Sequence, residues 1–279
     1  MPELPEAEHT RGILERVAVG RGISRVFAAE DEIVFEGRTS RSVVKRLKGR
    51  RIVAARRRGK YLWLELDVGP HPILHLGMTG TVRFRGDRPL KLSSSPGAVD
   101  RAWPPRFSKL VLSLDDGGEL AFTNARRLGR VLFRDAPREE KPISRLGFDP
   151  LTDMPSLTRF EARIRRRPKA ILKALLLDQT FSAGVGNWIA DEVLYQAALD
   201  PRRRVASLSA VEIARLRTKI RHVIKTAVRV DARKDAFPKS WLFHHRWGKD
   251  AEARTSKGER IEHLEIGGRT TAWVPWRQK

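Results

Sequence analysis

Apolar and polar positions first alternate along the chain and later recur at helical spacing. Residues 5–17 open on Pro5 and Glu6 and stop short of Gly20, which predicts a short helix. The stretches 23–28, 52–55, 61–66, 72–76, 81–84, 110–114, 120–123 and 130–133 are apolar or alternating, broken by Gly, Asp or Pro, and read as short strands. Eight strands in succession predict a β-sandwich or barrel, with Asp115-Asp116-Gly117-Gly118 as a hairpin turn and 86–106 as a mobile loop. Pro and charge over 135–150 mark an interdomain linker. Beyond it the period lengthens. Ser156 caps a helix with Leu157, Phe160 and Ile164 on one face, a second helix spans 169–177, and Asn187 caps a third that reaches Ala197. Ser209-Ala210-Val211-Glu212 is a capping box that opens a fourth helix, with Ile213, Leu216, Ile220, Val223 and Ala227 as its stripe. Residues 260–274 alternate again around Gly267-Gly268, a hairpin. The expected fold is therefore α+β: a β-sandwich domain with an N-terminal helix (1–134), a linker (135–150), and a helical domain (151–279) with a hairpin at about 247–276.

Composition adds a partner. The chain has 279 residues, with 56 Lys+Arg against 33 Asp+Glu, a formal net charge of +23, and enough apolar residues (41%) to build a core. Nine of the sixteen residues from 45 to 60 are basic and none is acidic; a second run holds Arg159, Arg163, Arg165, Arg166, Arg167, Lys169 and Lys173. A single basic run is usually a solvated face. Two dense runs in so basic a chain favour nucleic acid, because like charges this close repel unless an anion compensates. A membrane surface fits less well, since Pro168 breaks the second run and it lacks an aromatic apolar face. With no cysteine there is no disulfide, thiolate nucleophile, iron–sulfur cluster or cysteine zinc site, and the scattered histidines suggest no other metal and no cofactor. Neither a signal-peptide pattern nor a long apolar run occurs, so an intracellular monomer is expected, nuclear in a eukaryote or in the cytoplasm or nucleoid of a bacterium.

Pro2 is the first candidate for chemistry. Removal of Met1, common before a small residue, would leave a secondary amine with a pKa near 8, a nucleophile toward an aldehyde or a sugar C1′, and Glu3 beside it could move protons. Taken alone, Pro2 and its acids read better as an ordinary helix start.

Five motifs in register change that balance. Pro2-Glu3-Leu4-Pro5-Glu6, Arg58-Gly59-Lys60-Tyr61-Leu62, His75-Leu76-Gly77-Met78-Thr79-Gly80, Arg126-Arg127-Leu128-Gly129 and Gly184-Val185-Gly186-Asn187 together resemble the Fpg/Nei family of DNA glycosylases, on its formamidopyrimidine-DNA glycosylase side. The resemblance runs from residue 2 to about Trp276. It implies a helix–two-turn–helix in the second domain and a bifunctional glycosylase and abasic-site lyase of base excision repair, acting on double-stranded DNA with oxidised bases or abasic sites. Pro2 would be the Schiff-base nucleophile, Glu3 the general acid/base and Glu6 a supporting carboxylate. Lys60 and His75 would contact phosphates near the lesion; Met78, Arg126 and Leu128 would fill the gap left by the flipped nucleotide; Asn187 would belong to a phosphate-binding turn, with Lys173 a weaker DNA contact. Leu128 stands where the family usually has Phe. The tail keeps Arg269 at its tip without the four cysteines of most members, resembling the zincless finger of plant and fungal relatives, so packing by Ile261, Ile266 or Trp273 must replace metal energy. Residues 231–247 are shorter than the bacterial segment that covers a flipped 8-oxoguanine, which implies weak excision of that base and better activity on formamidopyrimidines, hydantoins and abasic sites. The alternatives are a catalytically silent binder of damaged DNA on the same fold and an unrelated basic RNA-binding protein.

Overall fold

The structure is a computed structural model and describes residues 2–86, 102–248 and 252–279. It divides into two compact units, one of Pro2 and Glu6–Arg145, the other of Glu3–Pro5 and Leu146–Lys279.

The first unit holds helix α1 (Leu4–Ala18) from Glu6 onward and carries two antiparallel four-stranded sheets. One orders β1 (Ile23–Ala28), β6 (Ser108–Leu114), β7 (Glu119–Thr123) and β5 (Thr81–Phe84); the other orders β2 (Ile52–Arg58), β3 (Tyr61–Leu66), β4 (His71–His75) and β8 (Arg130–Arg134). Ile23, Leu112 and Phe122 of one sheet share a buried core with Leu62, Leu74 and Val131 of the other, which makes the unit a sandwich. Trp63, Ile73 and Leu132 point the other way and pack with Ile143. All eight predicted strands are present. β2 outruns its prediction because Arg56, Arg57 and Arg58, which the sequence presents as charge, pair with Trp63, Leu62 and Tyr61. Helix α2 (Ser40–Leu47) is an addition to the predicted elements; only Val43 and Leu47 are buried in it, and the Thr39 hydroxyl caps it by accepting the Ser42 N–H at 3.3 Å. Most of the predicted loop at 86–106, residues 87–101, lies outside the described residues.

The second unit holds α3 (Leu157–Arg165), α4 (Leu172–Leu177), α5 (Asn187–Ala197), α6 (Ala210–Arg229) and the hairpin β9 (Glu262–Ile266) with β10 (Arg269–Trp273). α4 starts three residues later than predicted. Pro168 stands before it, and the Leu172 and Lys173 N–H groups donate to the Arg203 and Pro201 carbonyls, which fixes where the helix begins. Gly186, not Asn187, is the N-cap of α5. The capping box of Ser209 and Glu212 opens α6, whose stripe is buried against α3 and α5. Among the described residues no helix is long and apolar enough to cross a membrane.

Candidate nucleic-acid and catalytic site

In the first unit the predicted residues gather around the ends of β3, β4 and β8. Gly59, at φ 58°, makes the tight turn that presents Lys60 at the start of β3. His75, across from Tyr61 in the β3–β4 register, has its ring 4.7 Å from the tyrosine ring. Burial, then the nearby Lys60 and Arg130 charges, holds the His75 imidazole down at about 4, so at neutral pH the ring is neutral rather than cationic.

This shift makes stability pH-dependent. An unfolded histidine takes up its proton near pH 6.5, whereas folded His75 resists until about pH 4; its stabilising contribution is complete above pH 6.5 and erodes as the pH falls toward 4. Urea melts at pH 5 and pH 7.5 are expected to differ less for His75→Gln than for the parent chain, and parallel losses in the two would contradict this assignment.

Met78 and the pair Arg126 and Leu128 sit on two turns that are locked together. Asn124, fully buried, donates through Nδ2 to the Leu76 carbonyl at 3.2 Å and accepts the Gly129 N–H on Oδ1 at 3.1 Å. A Cβ on Gly77, which sits at φ 63°, would come within 2.6 Å of the Leu128 backbone, and one on Gly129 within 2.3 Å of Asn124. The neighbouring Arg127, at φ 52° and half exposed, grips the buried Asp31 through Nε and Nη2 at 3.0–3.1 Å. Burial pushes the Asp31 carboxyl up, but Arg127 and Lys109 outweigh it and hold the group at about 2. Arg126 and Leu128 project into solvent, Leu128 at 44% exposure. Asn124 and Asp31 are not among the residues that sequence reasoning singles out; the only signal for them is the density of glycine in the turns they clamp.

The basic run is not a uniform polyanion surface. Arg57, with 1% side-chain exposure, donates to Glu8 of α1 at 2.7 Å and to the Gly59 carbonyl at 3.0 Å, while Arg56 pairs with Glu65 at 2.9 Å. Pro2 and Glu6 are buried in this unit.

In the second unit, Glu3 occupies the N-terminus of α5. Its Oε2 accepts the Gly186 and Ile189 N–H groups at 2.9 and 3.2 Å, its Oε1 the Trp188 N–H at 2.9 Å, and the residue is 2% exposed. Three amide donors and the positive end of the helix suit a carboxylate anion. Gly186 is required here, because a Cβ would lie 2.3 Å from the Glu3 Cδ. The expectation that this helix terminus is open to a phosphate is thereby corrected: Glu3 takes three of its donors, and among the described residues only the Asn187 N–H is left without an acceptor. The Asn187 side chain reaches the hairpin instead, its Nδ2 donating to the Thr270 carbonyl at 2.8 Å.

Lys173 is also corrected. It is fully buried, with Nζ bound to Asp191 and directed at the Asn187 carbonyl, and so has no surface to offer DNA. Burial lowers its ammonium from the usual range, opposed by the Asp191 charge. Arg246 grips the other Asp191 oxygen, with Nε at 3.0 Å, and that oxygen also accepts the Ala272 N–H of β10 at 3.2 Å. Asp191 thus ties α4, α5 and the hairpin together. Ile261, Ala272 and Val274 pack with Tyr195 and Leu242 under the hairpin; Ile266 is 7% exposed; and Trp273, 5% exposed, lies under the Arg202 guanidinium at 4.3 Å. Arg269 stands exposed at the tip.

Comparisons with known proteins agree with this arrangement. Residues 1–131 match the family model of the formamidopyrimidine-DNA glycosylase N-terminal domain, and 146–238 that of its H2TH domain. A formamidopyrimidine-DNA glycosylase of Arabidopsis thaliana is 42% identical over all of this chain and 71% of its own length; one of Paracoccus denitrificans is 36% identical over 82% of this chain and 78% of its own. Among solved structures, the Lactococcus lactis formamidopyrimidine-DNA glycosylase non-covalently bound to DNA containing an abasic site is 26% identical, covers 99% of both chains and superposes with a TM-score of 0.80. A MutM complex with DNA containing a carbocyclic 8-oxoguanine gives 26% identity, full coverage of both chains and a TM-score of 0.81. The chain belongs to the formamidopyrimidine-DNA glycosylase family and is a DNA glycosylase of base excision repair.

Proposed function

We propose that this glycosylase excises oxidised bases from duplex DNA and then cuts the abasic strand by β- and δ-elimination through a Schiff base on the Pro2 amine. The observation that carries the reading is Glu3, the residue next to Pro2, held at a fixed position by three backbone donors. The amine attacks C1′, the base leaves, and the resulting iminium acidifies the C2′ protons, so that the 3′ and then the 5′ phosphate can depart. Glu3 moves the protons and Glu6 supports it. Lys60 and His75 hold phosphates beside the lesion, the Asn187 backbone N–H and the Arg269 side chain hold the backbone, and Met78, Arg126 and Leu128 restack the gap left by the flipped nucleotide. The exposure of Arg126 and Leu128 on turns whose backbone Asn124 clamps supports that last assignment, since a backbone already held in place lowers the ordering cost of restacking the duplex.

The substrate range follows from residues 231–247. Phe237, Trp241 and Phe243 of this segment are buried with Trp188 in the core of the second unit, which leaves little chain to cover an extruded purine. Formamidopyrimidines, hydantoins and abasic sites are therefore the proposed substrates, with 8-oxoguanine a weak one. Single-turnover incision across a lesion panel tests this: efficient release of 8-oxoguanine opposite cytosine would overturn the ranking, and no incision of any lesion would favour a silent binder of damaged DNA.

A further inference from the structure

Helix α6 carries charge that the lesion chemistry does not use. Between Glu212 in its first turn and its end at Arg229 it has six Lys or Arg (Arg215, Arg217, Lys219, Arg221, Lys225, Arg229) and no further acid. Among the described residues none of these six has a carboxylate within ion-pairing distance, whereas nearby cations are paired: Arg203 with Glu212, Arg165 with Glu161, Arg167 with Asp178. Arg221, Lys225 and Arg229 follow one another at four-residue spacing on the exposed face, where like charges destabilise a helix. With Arg217, Leu151 and Val228 they line a surface concavity of about 690 Å³. His222 lines it too, and burial together with the Lys219 and Arg229 charges lowers its affinity for a proton.

We propose that this face of α6 is a second binding surface for the phosphate backbone of duplex DNA, separate from the residues that handle the lesion, which holds the enzyme on undamaged duplex. The proposal rests on the DNA glycosylase reading for its choice of polyanion. From Arg217 to Arg229 the helix advances about 18 Å, and one strand of a duplex beside it carries about five phosphate charges over that length. The repulsion along α6 is relieved when those phosphates lie against it.

The test is the exposed triple variant Arg221→Gln, Lys225→Gln, Arg229→Gln in the full chain. Its affinity for a long undamaged duplex is expected to depend on salt with a slope smaller by about 2 to 3, from a coefficient of about 0.9 for each phosphate no longer neutralised. Borohydride trapping on a short duplex just spanning an abasic site is expected to stay at the level of the parent chain. An unchanged slope on the long duplex overturns the proposal. So does an equal loss of affinity on the short duplex, which would make α6 part of the lesion site, and so does displacement of the long duplex by polyglutamate from the parent chain but not from the variant, which would assign the face to an acidic protein. Failure of the proposed chemistry reads differently: neither parent nor variant would be trapped, while the difference in salt slope persisted.

Discussion

Gly186→Ala is expected to lower the single-turnover rate of lesion excision by about a hundredfold or more, because a displacement of about 1 Å in a reacting group has effects of that size. The glycine backbone lies directly against the proposed acid/base: a Cβ there would stand 2.3 Å from the Glu3 Cδ and 2.5 Å from its Oε1. The carboxylate must then move off the α5 terminus and give up the donors that fix it. Glu3→Gln tests the same point without the clash. An amide places an NH₂ where the carboxylate accepted, facing either Trp188 or the pair Gly186 and Ile189, and cannot serve as a base. Loss of a positioned general acid/base lowers rates by about 10²–10⁴. Excision by either variant at the parent rate would remove Glu3 from the chemistry.

Asp191→Ala is expected to destabilise the protein by about 3–5 kcal/mol, the usual effect of removing one partner from a buried charge network. Lys173 and Asp191 have no exposed side-chain surface and Arg246 only 5%, so both cations would be left without their anion in an apolar surrounding. The loss also reaches the hairpin, whose Ala272 N–H donates to the same carboxylate. Urea denaturation gives the magnitude. A combined Lys173→Met, Asp191→Leu, Arg246→Met variant is expected to recover much of the loss, because burying a charge network is itself costly; a single-variant loss below about 1 kcal/mol would show that the network is not the anchor described here.

Legibility in the sequence follows the range of each interaction. The strands and the α6 cap are readable because alternation and Ser209-x-x-Glu212 act over a few residues. Arg57 and Lys173 mislead for the opposite reason: their anions, Glu8 and Asp191, lie 49 and 18 positions away, and a basic run looks the same whether its members point inward or out. Asn124 is invisible, since its partner at Leu76 is 48 residues distant. The candidate catalytic pair is legible through the resemblance of its motifs, whereas what holds Glu3, donors 183 to 186 positions along the chain, needs the fold.

The proposed chemistry stands or falls on the N-terminal amine. Borohydride reduction during reaction with abasic duplex DNA is predicted to give a covalent complex with the parent chain, a strongly diminished one with Pro2→Gly, and none when an N-terminal extension leaves Pro2 without a free amine. Trapping of the extended chain at the level of the parent would contradict it and place the nucleophile on another residue.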